Sequence, residues 1–134
     1  MLWRRRYPLS RWAAVAILLP ALAPAFAFDD REFCLATQQI AIAADKDVGL
    51  WIDRMTRNAG MTIACERKFV EFKRFTYASS TSMNDAWRER NAAEWSSVHC
   101  TSPIWGDAIR NGWKIVLVVT SADGRQVTLS TQCG

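Results

Sequence analysis

The run Lys114-Ile115-Val116-Leu117-Val118-Val119-Thr120 is β-branched and apolar, Ala122-Asp123-Gly124 turns the chain, and Gln126 to Thr131 runs back. Asp-Gly between two such runs is a strong hairpin signal, since both turn positions tolerate positive φ. Working backwards, Met61, Ile63 and Cys65 alternate with Thr62, Ala64 and Glu66, the pattern of a half-buried strand. Asn58-Ala59-Gly60 reads as the turn before it. Phe69 to Tyr77 follows the charged bend Glu66-Arg67-Lys68 and reads as the partner strand of a second hairpin. Residues 50–56 fit both a helical stripe and a strand alternation; Gly49 weakens a helix, so an extended segment is expected.

Three helices complete the pattern. Asp29 or Asp30 caps the first, which runs to about Ala44 with Phe33, Ala36, Ile40 and Ala44 on one face. Ser82 followed by Asp85 resembles a capping box that opens a second helix to about His99, with Met83, Ala86, Trp87 and Val98 sharing a face. Ser102-Pro103 opens a short third helix, and Asn111-Gly112 stops it. Hairpins rather than strand–helix–strand units imply an α+β fold. Its antiparallel sheet has four to five strands, with the N-terminal helix and the two middle helices packed on one face.

Residues 1–27 read as a cleavable signal peptide. Arg4, Arg5, Arg6 and Arg11 form a cationic start without an acid, an apolar run follows from Trp12, and Ala25-Phe26-Ala27 is the small-x-small pattern cut by signal peptidases. The run is shorter than a bilayer span and carries Pro20 and Pro24, so no membrane span is expected once it is removed. Residues 28–134 then form one domain of 107 residues, placed in the periplasm or secreted. The full chain has 17 Lys plus Arg and 13 Asp plus Glu, but the leader holds all four surplus arginines. The remainder is neutral, which excludes the basic excess a nucleic-acid footprint needs. Its charges are unevenly placed: residues 29–53 are mostly acidic and 54–74 mostly basic. They read as neighbouring segments whose charges meet on a solvated surface.

Cys34, Cys65, Cys100 and Cys133 make an even count suited to an oxidising compartment. Four cysteines allow three pairings. Cys34–Cys65 with Cys100–Cys133 is preferred because it clips each half of the domain locally; the crossed pairings stay open. Each loop of about 30 residues is worth about 3–4 kcal/mol. A zinc site is disfavoured because the closest cysteines are 31 residues apart and the lone His99 abuts Cys100. No metal, no cofactor and no thiol dyad is expected.

Of the seven tryptophans, the five beyond residue 27 (Trp51, Trp87, Trp95, Trp105, Trp113) read mostly as packing residues, with Trp95 the exception because it lies off the apolar face of its helix. Asp53-Arg54-Met55-Thr56-Arg57 is the densest polar group beside a tryptophan. Trp51, Asp53, Arg54, Arg57 and Trp95 are therefore the candidate interaction surface; its plain alternative is a strand edge protected by charge. Phosphate loops, nucleophile elbows and HExxH pairs are absent. A small envelope hydrolase would need acids such as Asp53, Glu66 and Glu71 to converge. An inhibitor of a secreted enzyme would need a protruding loop at Ala78 to Ser82.

Trp51-Ile52-Asp53 with Thr56-Arg57, Cys100, Ala108-Ile109 before Gly112-Trp113, Asp123-Gly124 and terminal Cys133 resemble a group of small exported bacterial α+β proteins of unassigned function. The resemblance implies a helix followed by an antiparallel sheet and a Cys100–Cys133 bridge; Cys34 and Cys65 lie outside its pattern. The expected function is a non-catalytic binding domain of the cell envelope, with an envelope protein or glycan as partner.

Overall fold

A computed structural model describes residues 27–134, so the leader expected at 1–27 lies outside the described residues apart from Ala27. The order is α1 (Asp30–Lys46), β1 (Thr56–Ala64), β2 (Phe69–Thr76), α2 (Asp85–Thr101), α3 (Pro103–Arg110), β3 (Lys114–Thr120) and β4 (Gln126–Ser130). Among the described residues, no helix is long and apolar enough to cross a membrane.

The strands form one four-stranded sheet in the order β1-β2-β3-β4. The two expected hairpins are present, β1 with β2 and β3 with β4. The sheet is nevertheless mixed rather than antiparallel, because β2 and β3 run parallel, from Phe69↔Lys114 to Phe75↔Thr120. The cause is the long connection between them. The 17 residues of α2 rise about 26 Å at 1.5 Å each, which matches the eight residues of β2 at about 3.3 Å each. α2 therefore carries the chain back to the end where β2 began, and β3 starts beside that end.

Register fixes two faces. Met61, Ile63, Val70, Phe72, Ile115, Leu117, Val119, Val127 and Leu129 share one face and form much of the buried core. All three helices contribute to that side. Phe33 of α1 meets Trp105 of α3 edge-on at 5.7 Å, and Phe72 meets both Trp95 of α2 and Trp105, at 5.3 and 5.6 Å. The indole N–H of Trp113 donates to Asp30 at 2.8 Å, tying the start of α1 to the start of β3. Glu71, Lys73, Val118, Thr120 and Thr128 line the opposite face, which no described element covers.

Several local readings are corrected. Asn58-Ala59-Gly60 is not a turn but a bulge inside β1: the register shifts between Asn58 and Gly60, with Gly60 at φ +107°. Positive φ is accessible to glycine without a Cβ penalty, and an extra residue in one strand is what a bulge consists of. The bulge also exchanges faces, because side chains alternate with period two. Asn58 and Met61 both face the helices, although three positions apart, and Arg57 is turned to the open side with Phe75.

Asp29 caps α1, accepting from the Arg31 and Glu32 amides at 2.8 and 3.1 Å. The buried face of α1 carries Phe33 and Thr37, with Cys34, Ala41 and Ala44 packed beside it; Ala36 and Ile40 of the expected stripe are exposed. α2 is capped by Asn84, whose side chain accepts from the Trp87 amide at 3.0 Å, not by Ser82, which ends a 3₁₀ turn at Ser80–Ser82. Two disulfides join Cys34 to Cys65 and Cys100 to Cys133, with Cα–Cα distances of 5.8 and 5.5 Å.

Candidate functional site

Beyond α1 the chain folds into a ribbon against the start of β1. Gly49 donates to the Asn58 carbonyl at 2.8 Å, Asn58 donates to Leu50 at 2.9 Å, and Ile52 donates to Thr56 at 2.8 Å. Residues 50–52 thus add a short outer rung to the sheet, with Trp51 bridged to Arg57. Asp53 turns the tip by accepting from the Met55 amide at 2.8 Å. That bond holds the Asp53 carboxyl below its ordinary range, against a smaller opposing effect of burial; Thr56 and the Arg74 charge add to the lowering.

The bridge places Trp51 on the same face as Arg57, away from the helices. The Arg57 guanidinium carbon lies 4.1 Å from the Trp51 ring centre and 5.6 Å from that of Tyr77. The two rings are 5.4 Å apart and inclined at 31°, and Phe75 meets Tyr77 edge-on at 5.0 Å. The Tyr77 amide donates to the Met55 carbonyl at 2.9 Å, which fixes this corner to the end of β2. Trp51 and Tyr77 are 54% and 45% exposed, and Val48, Leu50, Ile52 and Met55 beside them are exposed too. An apolar group of this extent at a sheet corner is a surface of the kind proteins use for recognition.

Trp51, Asp53, Arg54 and Arg57 are therefore brought together in one ribbon, with Arg54 exposed near the tip. Trp95 does not join them. It is only 7% exposed, packed against Phe72 and stacked on His99 at 3.8 Å on the helix-covered side. The expectation of an exposed Trp95 fails because the buried stripe of α2 is Trp95 and His99, flanked by half-buried Arg88, Asn91 and Ala92, while Val98 is 62% exposed. His99 is held below its ordinary pKa by burial, which outweighs the hydrogen bond of its Nδ1 to the Trp95 carbonyl at 2.8 Å. Tyr77 was not foreseen. Its only sequence signal is the two-residue spacing from Phe75; its meeting with Trp51 depends on register.

The acids considered for glycan cleavage do not converge. Asp53 shares a cleft on the helix side with Arg74, whereas Glu71 lines the open face and pairs with Lys73 at 3.6 Å. Glu66 lies past the far end of the nine-residue β1, about 30 Å along the strand from Asp53. The loop expected to protrude at Ala78 to Ser82 is tied down: the Ser80 amide and hydroxyl both donate to Asp123, and the Ala122 amide donates to Ala78. The acidic and basic segments meet at Lys68 and Asp30, whose Nζ–Oδ2 distance is 2.8 Å.

No family model matches the chain, and no curated protein matches its sequence. Two solved structures share its fold. A presumed secreted protein from Pseudomonas aeruginosa superposes with a TM-score of 0.62 at 12% identity, covering 78% of this chain and 93% of its own. The pilotin EpsS of the Vibrio vulnificus type 2 secretion system superposes with a TM-score of 0.53 at 12% identity, covering 77% and 90%. At that identity the likeness is one of fold, and it sets the chain beside small exported bacterial α+β proteins.

Proposed function

We propose that residues 28–134 act, after export and removal of residues 1–27, as a non-catalytic binding domain of the cell envelope. Its docking surface is the ribbon of Trp51, Asp53, Arg54 and Arg57 together with Tyr77. The observation that carries this reading is the exposed apolar ribbon braced by the Trp51–Arg57–Tyr77 stack. Aromatic rings, methionine and arginine are the residues enriched where protein interfaces concentrate their energy. A fold neighbour that belongs to a type 2 secretion system, and four cysteines all in disulfides, support an extracytoplasmic setting.

Between a protein and a glycan partner, the stack favours the protein. Sugar rings bind aromatic faces, and one face of the Trp51 indole is already covered by the Arg57 guanidinium. The exposed aliphatic neighbours Val48, Leu50 and Ile52 fit a protein surface better than a hydroxyl-rich one.

The test is retention of the purified protein on solubilised envelope fractions, with wild type, Trp51→Ala and Arg54→Glu compared. Loss of retention in both variants at unchanged thermal stability is the expected result. Retention equal to wild type removes this surface from the reading. N-terminal sequencing of the exported protein should begin at Phe28; a chain that still begins at Met1 overturns the export step.

A further inference from the structure

Within the helix-covered face of the sheet, one residue carries a charge. Arg74 stands in a row with Asn58, Val119 and Val127, on the side that its neighbours Val70 and Phe72 devote to the core. It is half-buried, yet the ion pairs of the described residues (Lys68–Asp30, Lys73–Glu71 and Arg110–Asp107) leave it out. Burial draws its pKa down while the charge of Asp53 opposes this. Beside it, with the ring centre 5.6 Å from the guanidinium carbon, is Trp95, whose indole Nε1 is buried without an acceptor among the described residues.

Arg74 and Trp95 line the same cavity of 220 Å³, with Asn91 and His99 on its α2 wall and Leu117 on its sheet wall. Arg74, Asn91 and Leu117 continue into an adjoining cleft of 370 Å³, whose other walls include Trp87, Val119 and Leu129, with Asp53 among its lining residues. A buried donor without an acceptor is costly, and native structures rarely keep one without a reason. Here that donor shares its cavity with a half-buried guanidinium, and the cleft leading away from it is walled by apolar side chains as well as by Asp53, Thr56, Thr76 and Asn91.

We infer that this cavity, between α2 and the β2–β3 surface, binds a carboxylate carried on a short apolar body. Arg74 and the Trp95 indole N–H donate to the carboxylate oxygens, and Leu117, Val119, Leu129 and Trp87 receive the apolar portion. One guanidinium supplies the positive charge and one neutral N–H a second donor, with Asp53 competing for the guanidinium. Asp53 and Glu94, which line the cleft and the cavity, disfavour a doubly charged phosphate. Burial lowers the pKa of His99, which favours its uncharged form. The carboxylate belongs either to a free aliphatic acid or to the C-terminus of a polypeptide ending in an apolar residue.

Calorimetric titration of the disulfide-bonded protein with sodium hexanoate and with hexanamide, and with N-acetylleucine and its amide, tests the assignment. Binding by at least one acid, about tenfold or more tighter than by its neutral amide, is expected. Preference for hexanoate identifies a free acid, and preference for N-acetylleucine a polypeptide terminus. Arg74→Gln should weaken the preferred acid by about tenfold or more. Asp53→Asn keeps an oxygen to accept from the Met55 amide but removes the competing anion, so it should tighten binding. That gain cannot arise from misfolding. The Trp95 indole N–H resonance, assigned with Trp95→Phe, should shift on titration. Equal affinity for acid and amide, no binding by either acid, or wild-type affinity in Arg74→Gln overturns the inference.

Discussion

Asp123, at the turn between β3 and β4, accepts hydrogen bonds from the backbone amide and the hydroxyl of Ser80 at 2.9 and 2.5 Å, joining two turns 43 residues apart. The Ser121 hydroxyl donates to the same carboxylate at 2.6 Å. Asp123 is thus held far below its ordinary range, first by Ser121 and then by Ser80. A carboxylate lowered in the folded state contributes stability that is full above its unfolded value, about pH 4, and is lost as pH falls below it. Asp123→Asn should therefore be less stable than wild type at neutral pH, and the gap between the two melting temperatures should narrow steadily as pH falls from about 4 to about 2 without closing. Thermal melts across that range check this.

Deletion of Ala59 should remove the bulge without moving Arg57: Asn58 stays opposite Arg74 and Gly60 opposite Lys73, so the side chains alternate regularly and Arg57 remains beside Phe75 and Trp51. Near-ultraviolet circular dichroism should keep the contribution of the Trp51–Tyr77 pair. Envelope retention should match wild type at temperatures where the variant remains folded.

Gly106 in α3 admits no side chain, because a Cβ there would lie 2.7 Å from the backbone carbonyl oxygen of Cys100. Gly106→Ala should destabilise by about 1–3 kcal/mol through forced separation of α2 and α3. Gly112→Ala is the informative contrast: nothing lies near its Cβ, and its cost comes from φ +90° alone. Denaturant melts of the two variants separate crowding from backbone strain.

Replacing Cys100 and Cys133 together by serine opens a loop with a sequence separation of 33 and should cost about 3–4 kcal/mol. The loss should appear as a lower denaturant midpoint with hexanoate affinity retained under folding conditions, since neither cysteine lines the cavity.

The two hairpins were legible because each is local: alternation in residues 61–65 and the Asp123-Gly124 turn specify their partners within a few residues. The parallel seam was not, since no short-range pattern records that α2 matches β2 in length. The buried stripe of α2 escaped because it is written in Arg88, Asn91 and His99 as much as in Trp95, so apolar periodicity pointed to Val98, which is exposed. In the linear sequence Gly60 looks like turn punctuation, whereas its positive φ serves a bulge that sets the face of Arg57 relative to Met61. Within the site, the ribbon residues adjoin in sequence and were visible together. Tyr77 and Arg74 reach the ribbon and the cleft only through register, which a linear reading does not supply.

Each crosslink closes within its own half of the chain: Cys34–Cys65 spans α1 to the end of β1, and Cys100–Cys133 spans α2 to the C-terminus. No covalent staple crosses the seam where β2 meets β3, so backbone continuity between the halves rests on the stretch from Tyr77 to Asn84. A protease cut there would leave two looped pieces that remain associated in native buffer and part in urea without any reducing agent. The molecule is thereby built as a naturally splittable pair, whose reassembly after such a nick would report the strength of the seam directly.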